Sequence, residues 1–343
     1  MRIQTVRRIE RIEALYRQFY TQSACASPYL SYDWIKNTGK GFRDKHPLES
    51  VFSRLKIYLL YSDGGELRCI APLLAEHQPG KRKKIKIAGY NTPAEPLDLV
   101  YPGDIKDEEF DFLFDMVTQN EKPDEFLFSP LMKDSPLARY CSKRKNAAVK
   151  DEVSYHMFLT DYDSWYAGLS KSVRQNIRTS YNRLNTDGKT YSFEFTMGKP
   201  LSKQQYNRIN SILSKRLMEH MKVKNPLTGA AVRFLKLLNP ASKGLNNSSN
   251  SYCAILYVDG EIAGYTAGLM NGGVVSVCRF AIDTDFARYN PGAIIHNELV
   301  KRLLENDAAG AREYIFSRGD EQYKLSYGGE AFSYGSIRFP AAK

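Results

Sequence analysis

Residues 251–282 read SYCAILYVDGEIAGYTAGLMNGGVVSVCRFAI, and this stretch decides the fold. Tyr252 to Val258 is apolar and aromatic, Asp259-Gly260 supplies a two-residue turn that tolerates positive φ, and Ile262 to Met270 carries the chain back. Asn271-Gly272-Gly273 turns it again into Val274 to Ile282, so the pattern predicts a three-stranded meander with one face available to a core. A polar loop, Asp283 to Asn290, follows. Pro291 suits a first helical position, where its missing N–H is of no consequence, and Ile294, Ile295, Leu299, Leu303 and Leu304 recur with helical spacing. Gly310 fits a helix C-cap and Tyr314-Ile315-Phe316 the next strand. A strand, a glycine-containing loop and a helix N-terminus in that order form an anion site, because unpaired backbone N–H groups and the helix dipole face the same ligand. The stretch closes on Ser317-Arg318-Gly319-Asp320-Glu321-Gln322-Tyr323-Lys324, rich in ionisable side chains.

Upstream, Val173, Ile177, Tyr181 and Leu184 fall on one helical face while Lys171, Arg174 and Arg178 fall on another. The basic face is either simply solvated or a place where Arg174 and Arg178 attract an anionic acceptor or donor phosphate. Ser202 to Gln205 matches a capping box, and Tyr206, Ile209, Leu213 and Leu217 continue as a core stripe. Asn239 to Ser251 has the composition of a polar loop. In the first half, Val6 to Phe19 has helical periodicity, Leu55 to Tyr61 and Leu67 to Leu74 read as strands joined by Asp63-Gly64-Gly65, Phe110 to Val117 reads as helix and Glu125 to Phe128 as strand. This hairpin, helix and strand order echoes the second half and predicts a mixed α/β unit.

At 343 residues with 43% hydrophobic content the chain can bury one large core or two ordinary ones, and two are expected. No apolar run reaches the length of a membrane span and Met1 to Glu13 is charged, so neither a transmembrane helix nor a secretory signal is expected and the cytoplasm follows as the compartment. Cys25, Cys69, Cys141, Cys253 and Cys278 are scattered and lack Cys-x-x-Cys spacing, which argues against a disulfide framework and against a metal site. The net charge of +11 is spread evenly: residues 1–150 carry 25 basic and 20 acidic side chains, residues 151–343 carry 24 and 18. The local run Lys81-Arg82-Lys83-Lys84 with Lys86 reads as a solvated hairpin tip or a polyanion patch, and no zinc-finger spacing or aromatic RNA-binding signature accompanies it.

The run from Tyr252 to Tyr327 resembles the catalytic half of the CelD/BcsL-type acetyltransferases of the GNAT superfamily, a branch related to the Fem-type aminoacyl transferases. The likeness rests on Val258-Asp259-Gly260-Glu261-Ile262-Ala263, the Pro291-Gly292 helix start, and Arg318-Gly319-Asp320-Glu321 with Tyr323-Lys324; Ser172-Val173-Arg174-Gln175-Asn176-Ile177-Arg178 resembles the basic helix that opens the same module. Two positions depart from the pattern: Pro291 occupies the first glycine of the pyrophosphate signature, and Ile315 stands where an acidic residue is common. The resemblance implies tandem GNAT-like modules, an α/β fold with mixed, mainly antiparallel central sheets flanked by helices. The expected division is a degenerate module over 1–155 and a catalytic one over 156–343.

It further implies acyl transfer, of an acetyl group from acetyl-CoA or of another acyl group from its CoA ester, to an amine or hydroxyl of a sugar, amino acid or envelope precursor. On this reading the backbone of Phe280, Ala281 and Ile282 binds the donor along a strand edge, and Arg288 with the Gly292 and Ala293 amides meets its phosphates. Asp320 acts as base or acceptor anchor, Tyr323 protonates the leaving thiolate, Lys324 holds an acceptor carboxylate or phosphate, and Arg174, Arg178 and Arg318 bind substrate. Each has a bland rival, with Asp320 as an N-cap, Tyr323 as packing and Lys324 as a surface ion pair. Two other functions stay open: Fem-like aminoacyl transfer from charged tRNA, and a non-catalytic binding module on a degenerate acyl-CoA fold.

Overall fold

The computed structural model describes residues 1–24, 27–38, 52–90, 95–220, 240–305, 310–317, 319 and 322–341. The chain forms two compact units, Met1–Val153 joined by Ser333–Lys343, and Ser154–Phe332. In the first, β1 (Arg2–Val6), β2 (Ser53–Tyr61), β3 (Leu67–Glu76) and β4 (Lys84–Ile87) run antiparallel in sequence order. The helix Asp107–Glu121 then returns the chain to β5 (Glu125–Met132), which lies parallel to β4. Strand β12 (Glu330–Pro340) completes this sheet, its residues Tyr334 to Pro340 pairing antiparallel with β5. Phe114, Phe126, Phe128 and Phe339 interlock beneath it, Phe126 and Phe339 stacking at 5.0 Å. Among the buried carboxylates of this unit, Asp98 accepts from the Leu99 amide at 2.7 Å and from the Tyr101 hydroxyl at 2.8 Å, and burial raises its pKa to about 7.

The second unit repeats the same order. Strands β7 (Tyr191–Met197), β8 (Ser251–Val258), β9 (Glu261–Asn271) and β10 (Val274–Ile282) are antiparallel neighbours, and the helix Pro291–Glu305 leads to β11 (Glu313–Ile315), parallel to β10. The end of β6 (Ala148–Phe158) pairs antiparallel with β11 from His156 to Phe158. The meander forms as its turns dictate, with Asp259 at φ 50° and Gly260 at φ 80°. Gly268 is required by contact rather than by turning: a Cβ there would lie 1.9 Å from the Ser276 carbonyl oxygen of β10. Val173 and Ile177 of the helix Lys171–Thr186, Ala293, Leu299 and Leu303 of the Pro291 helix, and Tyr252, Ala254 and Val275 of the sheet share one core. The fold class is thus α/β, with mixed sheets flanked by helices.

Several sequence expectations are corrected. Val6 to Phe19 is not one helix: residues Arg2–Val6 form β1, paired along its length with β2, and the α-helix runs only over Glu13–Gln22. Backbone pairing outweighs a local helical period there. Asn239 to Ser251 is not a loop throughout, because Pro240–Asn247 is helical. Asn247 and Ser248 side chains cap its carbonyls, and Ala241 and Leu245 are buried. In the Lys81 to Lys86 run, Lys83 pairs with Glu121, Lys84 with Glu125 and Lys86 with Glu76, so three of its five cations are already neutralised.

Candidate active site

Strand β10 pairs with β11 only from Val274 to Ser276, and its register to β9 shifts between Val277 and Arg279. Past that bulge the strand leaves β11. The Asp283 amide donates to the Ala263 carbonyl of β9 at 2.9 Å, so residues of that parity face β9, and Phe280 and Ile282 turn their N–H and C=O groups the other way. The Phe280 carbonyl confirms the direction by accepting from Arg216 Nη1 at 3.2 Å. Ala281, by the same alternation, spends its backbone on β9. The open edge borders a cavity of about 560 Å³ whose walls include Phe280, Ile282, Phe316, Tyr323 and Lys324.

At one side of this edge the Pro291 helix begins. A Cβ on Gly292 would sit 3.6 Å from the Phe280 ring, an ordinary contact, so neither backbone conformation nor space demands glycine here. The Ala293 amide donates to the Asn290 carbonyl at 3.0 Å and its side chain is buried. Arg288 lies outside the cavity wall, held by Asp187 through Nε at 2.7 Å and Nη2 at 3.1 Å, while its carbonyl accepts from Arg183. That pairing lowers the Asp187 pKa, with the Tyr289 hydroxyl assisting. Of the residues expected to hold donor phosphate, Gly292 therefore adjoins the strand edge, whereas Arg288 and the Ala293 amide have protein partners.

On the opposite wall, the short helix Gln322–Ser326 carries Tyr323 and Lys324. The half-buried Tyr323 ring lies 6.5 Å from Phe280 and faces the same cavity. Lys324 is 1% exposed, and its Nζ donates to the Ser317 carbonyl at 2.7 Å and to the Gly319 carbonyl at 3.1 Å. It is neither a surface ion pair nor a free cation. It clamps a turn in which Ser317, at φ 73°, and Gly319, at φ 114°, both adopt left-handed backbone. Arg318 and Asp320 lie outside the described residues. Arg174 donates to the Ala167 carbonyl and Arg178 to the Arg174 carbonyl, both on the exposed side of the Lys171 helix and away from the cavity lining.

Neighbours at three places on the chain were missed from the sequence. Arg216 and Glu219, on the helix Lys203–His220, line the cavity, and Glu219 accepts from the Thr284 hydroxyl at 3.4 Å. Asp283, fully buried, anchors that helix by accepting from Arg208 at 2.6 Å and Lys215 at 3.1 Å. The third is His296, 6% exposed and boxed by Phe280 at 5.1 Å, Tyr327 at 4.7 Å, Tyr323 at 5.5 Å and Phe316 at 6.2 Å. Burial lowers its pKa to about 4, and its Nε2 has no hydrogen-bond partner among the described residues. Such an unpaired buried group costs about 1–3 kcal/mol. Its place in the pattern Ile294, Ile295, Leu299 made it look like core, and only the spacing of four from Gly292 could have marked it.

Among the described residues, no group of three or more His, Cys, Asp or Glu side chains could hold a metal ion, and no helix is long and apolar enough to cross a membrane.

Residues 171–325, from the start of the Arg174 helix to the helix of Lys324, match the family model described as the acetyltransferase (GNAT) domain. The matched stretch is 155 of the 343 residues and falls within the second unit, which is thereby similar to the acetyltransferase (GNAT) domains. The crystal structure of FemX superposes with a TM-score of 0.65 at 10% identity, covering 98% of this chain and 97% of that one. A tandem GNAT protein from the clavulanic acid biosynthesis pathway gives 0.53 at 9% identity, with 100% and 99% covered. The C-terminal domain of a putative lysylphosphatidylglycerol synthetase from Agrobacterium fabrum gives 0.56 at 12% identity, with 97% and 92% covered. At these identities the likeness speaks for the fold alone. No curated protein sequence matches the chain.

Proposed function

We propose that the second unit transfers an acyl group, acetyl from acetyl-CoA in the first instance, to an amine or hydroxyl of a sugar, amino acid or envelope precursor, as in the CelD/BcsL branch. The observation that carries this reading is the open edge of β10, where the Phe280 and Ile282 backbone groups face a cavity shared with Tyr323. An elongated donor with amide groups in its arm can pair with such an edge as an added strand would. The Gly292 amide, in the first turn of the Pro291 helix, is the backbone donor offered to its phosphates. In the reaction the acceptor nucleophile attacks the thioester carbonyl, the C–S bond breaks, and the thiolate takes a proton. Tyr323 is the proton donor on this reading; Asp320 and the cavity carboxylate Glu219 are the candidates to receive the acceptor's proton. Lys324 acts by fixing the backbone at Ser317 and Gly319. Arg174 and Arg178 remain the proposed outer contacts for an anionic substrate.

The first unit is proposed to be a degenerate module. Its corresponding helix, Asp107–Glu121, opens on Asp107, Glu108 and Glu109, three carboxylates where a donor phosphate would have to sit.

A second reading, aminoacyl transfer from charged tRNA, is favoured by one observation: Arg288 and the Ala293 amide already have partners, which leaves the expected pyrophosphate site short of ligands. The likeness to FemX and to the synthetase domain is compatible with it. The deciding experiment measures apparent melting temperature with acetyl-CoA, longer acyl-CoAs and charged tRNA, followed by thiol release with acetyl-CoA and an acceptor panel. Stabilisation by CoA esters with thiol release supports the first reading, stabilisation by charged tRNA alone the second, and stabilisation without turnover a binding module.

A further inference from the structure

His296 is an unusual choice for its surroundings. Four aromatic rings enclose it, Phe280 nearly parallel at 17°, and the groups that face it, Phe280, Phe316, Tyr323 and Tyr327, offer no carboxylate to charge it. A phenylalanine would stack in this box without burying an unpaired nitrogen. The ring nitrogen is therefore the feature that packing does not explain, and unpaired polar atoms of this kind are rare in native interiors unless a partner arrives. Three of the four enclosing side chains, Phe280, Phe316 and Tyr323, are also walls of the cavity. Gly292, four residues earlier on the same helix face, also neighbours this ring, since a Cβ there would lie 3.6 Å from Phe280 Cζ. Phe280 therefore touches both the start of the Pro291 helix and the His296 ring.

We propose that His296 is a donor-binding residue, its neutral imidazole giving an Nε2–H hydrogen bond to an amide or thioester carbonyl of the acyl donor, with the Phe280 and Tyr323 rings parting to admit it. This rests on the acyl-CoA reading above. A neutral imidazole suits the task because it donates without the desolvation cost of an ion. The interaction is made only when the donor is present, which accounts for a nitrogen with no partner among the described residues.

The test compares wild type with His296→Phe, His296→Met and His296→Gln, the last retaining an N–H donor of similar reach. Melting temperatures of the apo proteins and acetyl-CoA dissociation constants by calorimetry are the readouts. His296→Phe is expected to melt at or above the wild-type temperature yet bind acetyl-CoA about tenfold more weakly, and His296→Gln to recover at least a third of the affinity. His296→Met, whose flexible chain adapts to irregular space, supplies the same comparison should the phenylalanine variant not fold. Wild-type affinity in either folded apolar variant overturns the proposal while leaving the acyl-CoA reading intact. Wild-type protein that binds no acetyl-CoA overturns both.

Discussion

Lys324 shows how a side chain beside the candidate site can act by fixing backbone. Its two hydrogen bonds to Ser317 and Gly319 hold a turn that includes a non-glycine residue at positive φ, a conformation that costs energy unless the surroundings enforce it. Lys324→Met should therefore lose about 3–6 kcal/mol, on the order of 1.5–3 kcal/mol being typical for each of two charge-assisted bonds, together with most turnover. An unchanged melting temperature would instead return Lys324 to the role of an acceptor ligand. Tyr323 has the opposite signature. Tyr323→Phe keeps the ring against Phe280 and His296 but removes the proton, so turnover should fall by about 10²-fold with donor affinity preserved; equal losses in both would reduce it to packing. The sequence made Tyr323 and Lys324 visible through their motif, but burial separates a clamp from a surface cation, and no local pattern encodes burial of a lysine.

The elements that were legible are those whose boundaries rest on special backbone chemistry. Asp259-Gly260, Gly272-Gly273 and Pro291 each demand one local conformation, so the meander and the helix after it could be read directly. Strands β1, β4 and β6 were not legible, because their pairing partners are distant in sequence and their charged or mixed composition carries no clean alternation. The splay of β10 from β11 was equally hidden, being a property of where pairing stops. At this scale the Pro291 helix gives a clear expectation. Gly292→Ala should fold at least as well as wild type, since its Cβ meets only ordinary contacts and alanine is favoured in helices by roughly 0.5–1 kcal/mol. Gly292→Val should weaken acetyl-CoA binding by tenfold or more, as its branched side chain blocks the backbone approach. Calorimetry decides between this and a helix start that touches no ligand, for which the Val variant would bind like wild type.

Over the whole molecule, the two units hold buried titratable groups that respond to acid with opposite sign. Asp98 in the first has a folded pKa near 7 against an ordinary 3.8, so it binds a proton on folding and its contribution to stability grows as pH falls from 7 towards 4. His296 in the second has a folded pKa near 4 against 6.5; its contribution is complete above 6.5 and is lost as pH falls through that window. Asp98 spans roughly 4 kcal/mol and His296 roughly 3 kcal/mol, taking about 1.4 kcal/mol per pKa unit. Scanning calorimetry should accordingly show the second unit losing stability relative to the first between pH 7 and pH 5. His296→Phe should flatten the acid side of that difference, and Asp98→Asn the part that comes from the first unit; a separation independent of pH would contradict both assignments. The discontinuous first unit has a consequence in time as well as in energy. Residues Ser333 to Pro340 of β12 are made after every residue of the second unit, yet Tyr334 to Pro340 supply the partner of β5, and Phe339 the ring against Phe126. During synthesis the unit that emerges first from the ribosome is therefore the one finished last, and until then β5 presents an unpaired, phenylalanine-rich edge that nascent-chain chaperones would have to shield.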